Sequence, residues 1–115
     1  MPEKKQDLFR LAFETSPDAI NLNRLDDGLY LHINDGFLQM TGYSRADVLG
    51  KTSLELGIWK HPEDRRQLLH ALEKTGFVQN CEFTFVGKNG KTLIGLMSAR
   101  VLDINHEKII LSITK

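Results

Sequence analysis

The first apolar run has a helical period. Leu8, Leu11 and Ala12 fall at i, i+3 and i+4, with Phe9 and Phe13 on the adjoining stripe, so residues 7–15 read as a short helix. Thr15-Ser16-Pro17-Asp18 stops it, because a residue before proline is pushed out of the α region. The period then changes to two, and residues 19–25 and 29–33 read as strands. In the second, Leu29, Leu31 and Ile33 are expected on one face, with Tyr30 and His32 on the other. Asp26-Asp27-Gly28 between them is a hairpin signal, since Asp and Gly tolerate positive φ.

Asn34 stands where an N-cap belongs, ahead of a short helical stretch with Phe37, Leu38 and Met40 that Gly42 ends. Ser44-Arg45-Ala46-Asp47 has the form of a capping box, with Asp for Glu at its last position, and Gly50 closes the turn it opens. Residues 51–60 read as irregular and carry the sole tryptophan, Trp59. Pro62–Thr75 is the best-marked helix. Proline suits its first position, Glu63 and Asp64 complement the helix dipole, Leu68, Leu69 and Leu72 form its core stripe, and Gly76 is placed as the C-cap. Residues 80–86, 92–102 and 108–114 then read as strands, joined by Lys88-Asn89-Gly90-Lys91 and by Asp103-Ile104-Asn105-His106. Helices lying between two groups of hairpin-linked strands predict an α+β fold, an antiparallel sheet with short helices on one face.

Composition narrows the function classes. The 115 residues suit one domain, and 41% apolar with 26% charged residues is an ordinary globular mix. Fifteen basic against fifteen acidic residues argue against a nucleic-acid partner. A lone cysteine makes no internal disulfide and no Cys-rich zinc site. No apolar run approaches the roughly 20 residues that cross a bilayer, and the N-terminus has no apolar signal region. The expectation is a soluble, cytoplasmic domain with no membrane contact of its own.

Four short passages carry a family resemblance. Asn34-Asp35-Gly36-Phe37 running on to Thr41-Gly42-Tyr43-Ser44, then Asp47-Val48-Leu49-Gly50-Lys51, then His61-Pro62-Glu63-Asp64-Arg65, and finally Glu82 with Lys88-Asn89-Gly90 resemble, in order and spacing, the motifs of a PAS domain, the sensory box family. Asp47 and Asn89 each depart from the pattern, standing where the family has Glu and Asp. The resemblance implies a five-stranded antiparallel sheet with helices over one face, enclosing a small cavity. On that division residues 1–16 form an N-terminal flanking helix and residues 17–115 the sensory domain.

The resemblance also implies a function. Such domains bind a small ligand or dimerise, and relay a conformational change to a covalently linked output domain, commonly a histidine kinase of a two-component system or a cyclic-dinucleotide enzyme such as a diguanylate cyclase. The "D-I-T" triplet that closes the family's domains is not found at Ile113-Thr114-Lys115, which reads as a fragment whose output domain lies outside the chain. The alternative is a ligand-free dimerisation scaffold.

Asn80-Cys81-Glu82-Phe83 is similar to the "N-C-R-F" of the light-sensing LOV branch, but there the cysteine precedes the long helix, and Cys81 follows it. Cys81 is expected to be a small buried apolar residue, and flavin photochemistry is rejected. Haem requires an axial ligand such as histidine. His70, about 200° round the helix from Leu68, groups with Arg66, Glu73 and Lys74 on a solvated face, and the oxygen-sensing branch would place its ligand near Arg65. The residues therefore speak against haem and flavin, and no other cofactor is named. His32, His61 and His106 have no metal spacing, and no catalytic constellation is recognised. The expected pocket lining is Phe37, Met40, Trp59, Leu68, Leu72, Phe83 and Phe85, suited to an apolar or weakly polar ligand rather than a dianion. A homodimer through Leu8, Leu11 and Phe13 is expected, since a flanking helix must bury its apolar face somewhere.

Overall fold

The computed structural model describes residues 2–115, with side chains from Asp7 onward. Helix α1 (Pro2–Thr15) leads into strand β1 (Ala19–Arg24) and strand β2 (Tyr30–Ile33). Three short helices follow, α2 (Asp35–Thr41), α3 (Arg45–Val48) and α4 (Ser53–Leu56), then the longer α5 (Pro62–Thr75). Strands β3 (Phe77–Val86), β4 (Thr92–Ile104) and β5 (Glu107–Thr114) complete the chain. The five strands form one antiparallel sheet in the order β2-β1-β5-β4-β3, with α2 packed on β1 and α5 on β3 and β4.

The helices are held by their ends. Asn34 caps α2 through its side-chain oxygen on the Phe37 N–H, 3.0 Å. Ser44 and Asp47 form a reciprocal capping box on α3, and so do Thr52 and Glu55 on α4. Helix α4 lies inside the segment that reads as irregular from sequence. Its four residues are too few for a hydrophobic period to register, yet Thr52-Ser53-Leu54-Glu55 is a capping-box sequence in full.

Strand β2 differs from the sequence expectation. Asn21 pairs with Ile33 and Asn23 with Tyr30, with a register shift between Leu22 and Asn23. Strand β2 thus spends one more residue than its partner over this stretch, which puts Tyr30 and Ile33 on the same, buried face and leaves His32 exposed. A second irregularity, between Val78 and Cys81, holds Asn80 at φ 51°. Both sheet edges are partly covered: Tyr30 N–H donates to the Lys51 carbonyl (2.9 Å), and on β3 the Val86 and Lys60 N–H groups bond Ile58 and Thr84 carbonyls.

Gly36 marks the tightest approach of helix to chain. A Cβ there would run into the Asp18 carbonyl and lie 2.8 Å from the Ser16 carbonyl oxygen. Asn34, fully buried beside it, holds the same junction. Its oxygen also accepts from the Ile20 N–H (2.9 Å), and its amide donates to the carbonyls of Phe13 (2.9 Å) and Asp18 (3.0 Å).

Candidate functional site

Three short helical segments and α5 roof the inner face of the sheet, and a cavity lies between them. It offers about 50 Å³ to the centres of water-sized groups. The roof side is mostly apolar, with Thr41, Ser53 and Arg65 as its polar members. Phe37 and Met40 come from α2, Ile58 and Trp59 from the turn after α4, and Leu68 and Leu69 from α5. Trp59 stands edge-on to Phe83 (ring centroids 5.3 Å apart) and tilted against Phe85 (5.0 Å), and Tyr30 meets Phe37 edge-on at 5.4 Å. Trp59 is further fixed by its indole N–H, which donates to the Ser53 hydroxyl at 2.9 Å.

The sheet side is mixed, with Ala19, Phe85, Met97 and Ile110 beside polar residues. Alternation along β1 turns Ala19, Asn21 and Asn23 inward, and along β5 it turns Ile110, Ser112 and Thr114 inward. Asn21 Nδ2 donates to Asn23 Oδ1, and Asn23 Nδ2 donates to the Gly28 carbonyl at 3.0 Å. Tyr30 is buried, which pushes its phenol well above the ordinary value, while the nearby Arg65 charge acts in the opposite direction. Arg65, half-buried on the first turns of α5, lines the same end.

Of the pocket residues read from sequence, Phe37, Met40, Trp59, Leu68 and Phe85 line the cavity. Leu72 belongs to the buried core beyond it, and Phe83 packs against that core and against Trp59. The polar lining was missed. Its signal was present in the alternation Ala19-Asn21-Asn23 and Ile110-Ser112-Thr114, where polar residues share a strand face with apolar ones.

Leu8 and Leu11 project from α1 at 66% and 58% exposure, with Phe9 also at 66%. Phe13 is half-buried instead, in the last turns of α1 where its carbonyl receives Asn34. His32, His61, His70 and His106 are all exposed, and no cluster of three or more metal-ligating side chains occurs among the described residues. Cys81 is half-buried rather than buried, because β3 is an edge strand and the irregularity beside it interrupts the regular pairing. No helix among the described residues is long and apolar enough to cross a membrane.

A model of the PAS domain family matches residues 17–115. The chain belongs to the PAS domain family. Solved structures of PAS domains share its fold. One, from a two-component sensor histidine kinase, superposes with a TM-score of 0.83 at 16% identity, covering 100% of this chain and 98% of the other. The PAS domain of an HTR-like protein from Haloarcula marismortui gives 0.77 at 24% identity, covering 98% and 92%. A domain of the sensory box sensor histidine kinase/response regulator from Geobacter sulfurreducens gives 0.78 at 23%, covering 100% and 96%. No curated protein matches the chain in sequence. PAS domains are in general non-catalytic sensory modules.

Proposed function

We propose that this PAS domain is a cytoplasmic, non-catalytic sensor that holds a small molecule in its cavity and relays the resulting change, directly or through a homodimer, to a covalently linked output domain such as a histidine kinase or a cyclic-dinucleotide enzyme. The observation that supports the reading is the cavity itself, largely apolar, with a few polar side chains placed on both the sheet side (Asn21, Asn23, Ser112, Thr114) and the helix side (Ser53, Arg65). Small-molecule sites have this make-up, a largely apolar lining with a few placed polar groups that fix orientation. A route out of the cavity is available. Asn34 bonds the helix that supplies Phe37, the Ile20 N–H next to Asn21, and the Phe13 carbonyl of α1.

A native mass spectrum of freshly purified chain tests the proposal. Mass in excess of the polypeptide, retained on folded ions and released on unfolding, is the expected result. An apo mass, together with no rise in melting temperature across a library of small metabolites, overturns it, since ligand at about 100 times its Kd stabilises a native state by about 2.7 kcal/mol.

The exposed Leu8, Phe9 and Leu11 favour a second reading, a dimerisation scaffold with no ligand. In that case Leu8→Asp with Leu11→Asp converts a dimer to a monomer in sedimentation, and an unchanged mass at high concentration refutes the interface.

A further inference from the structure

Arg65 sets the cavity apart from an ordinary apolar core. Among the described residues the ion pairs engage Arg24, Arg45, Lys88 and Lys108, and Arg65 joins none of them. Its guanidinium lies against Gly28, where a Cβ would come within 2.6 Å of Nη2. Gly28, at φ 76°, is buried and lines the cavity, and its carbonyl is held by Asn23. The missing side chain at position 28 therefore makes room for a positive group at the polar end. With no carboxylate of the described residues paired to it, the half-buried guanidinium is open to an anionic guest, and its planar fork is the group that best matches a carboxylate.

Size limits the guest. A cavity of about 50 Å³ holds about four water-sized groups at roughly 10–15 Å³ each. We propose that the cavity binds a short aliphatic monocarboxylate, of the size of acetate or propionate, with its carboxylate on Arg65 and its hydrocarbon end among Phe37, Met40, Trp59 and Leu68. This rests on the reading of the domain as a small-molecule sensor and names the chemical class it senses. A dianion would leave one charge unmatched, because Arg65 is the sole Lys or Arg in the described lining.

The test compares propionate with propionamide, its neutral isostere, at matched ionic strength, following the Trp59 indole N–H and the Asn21 and Ser112 amides by NMR. Saturable shifts of these signals are expected, with propionate bound about tenfold more tightly than propionamide, the gap between charge-assisted and neutral hydrogen bonding. Arg65→Met, which keeps an unbranched apolar stem, should abolish the preference and retain the amide. Equal affinities in the wild-type chain, or a preference that survives Arg65→Met, overturn the carboxylate assignment while leaving a small-molecule cavity in place. Should Arg65→Met fail to fold, the wild-type comparison decides alone. Saturable shifts confined to surface amides, or none with either compound, also overturn it, and the native mass spectrum then judges the broader reading separately.

Discussion

Replacing Asn34 by alanine removes the five hydrogen bonds by which one buried amide joins α1, the turn after it, β1 and α2. Loss of the N-cap on Phe37 costs about 1 kcal/mol. The Ile20 N–H loses its acceptor, and an orphaned buried donor costs about 1–3 kcal/mol. The carbonyls of Phe13, Ser16 and Asp18 lose their donor too; each keeps a second lone pair and lies in a half-buried residue, so they add the smaller share. The sum is about 3–5 kcal/mol, a large fraction of the roughly 5–15 kcal/mol that holds a domain together. For a chain of this length that is a fall of about 12–20 °C in melting temperature. Urea unfolding followed by Trp59 fluorescence and far-UV circular dichroism measures it. Asn34→Ser restores the cap alone and should recover about 1 kcal/mol. A loss under about 1 kcal/mol for Asn34→Ala refutes the reasoning, since unmade buried hydrogen bonds cannot cost so little. Full recovery with Ser would reduce the junction to simple helix capping.

Three further outcomes follow from single contacts. Gly36→Ala gains about 1 kcal/mol of helix propensity, but its Cβ meets backbone carbonyls of Ser16 and Asp18 that cannot rotate away. The overpacking costs roughly 1–3 kcal/mol or more, so the urea midpoint should fall, and a rise would disprove the close approach. Asp47 is held down to about 2 by its hydrogen bond from Lys88 (2.8 Å) and by the Ser44 N–H and hydroxyl. Since 3.8 is its unfolded value, the contribution is fully present above that pH and is lost as pH falls towards about 2. The melting-temperature gap between the wild-type chain and Asp47→Asn should therefore close across that window, and a gap constant from pH 5 to 2 rules the contact out. Ser112→Ala leaves the backbone pairing of β5 with β1 and β4 intact and removes a buried hydroxyl from the cavity wall. Stability should stay within about 1 kcal/mol of wild type or rise, while the chemical-shift response to propionate changes at residues of β1 and β5; a large destabilisation would show the hydroxyl to be structural.

Legibility from sequence followed the reach of each signal. Caps and turns were readable because their chemistry is local. Asn34, the Ser44-Asp47 box, and Gly42 and Gly76 as left-handed C-caps stand where sequence places them. The Asn105-His106 turn, with φ of 50° and 67° at its two residues, falls within the connection expected between the last strands. The inward face of β2 was misread because alternation assumes regular pairing, and one extra residue exchanges Leu31 for Tyr30. Leu72 and Phe83 read as pocket residues because an apolar stripe marks burial, and burial alone does not separate cavity wall from packed core. Arg65 reached the cavity through contact with Gly28, 37 positions earlier in the chain, which no local pattern records.

The residues that patterning missed share a physical character. Asn21, Asn23, Ser112 and Thr114 occupy inward strand positions where a core built for stability alone would carry Val or Ile. Burying them requires hydrogen-bond partners, and the Asn21–Asn23–Gly28 chain supplies some of these from within the sheet. Local rules are broken mainly where a site compensates for the loss. On the proposed reading the compensation is a guest that is polar at the Arg65 end and apolar under α2. Such a guest can shift the domain only by its differential affinity for two arrangements. Its leverage must then pass through side chains that both touch the cavity and join other elements. Phe37 meets this condition, because the N–H that Asn34 caps is its own, and the same Asn34 amide holds the end of α1. A guest that moves Phe37 therefore acts on a hydrogen-bonded junction that connects the cavity to the helix carrying the exposed Leu8, Phe9 and Leu11.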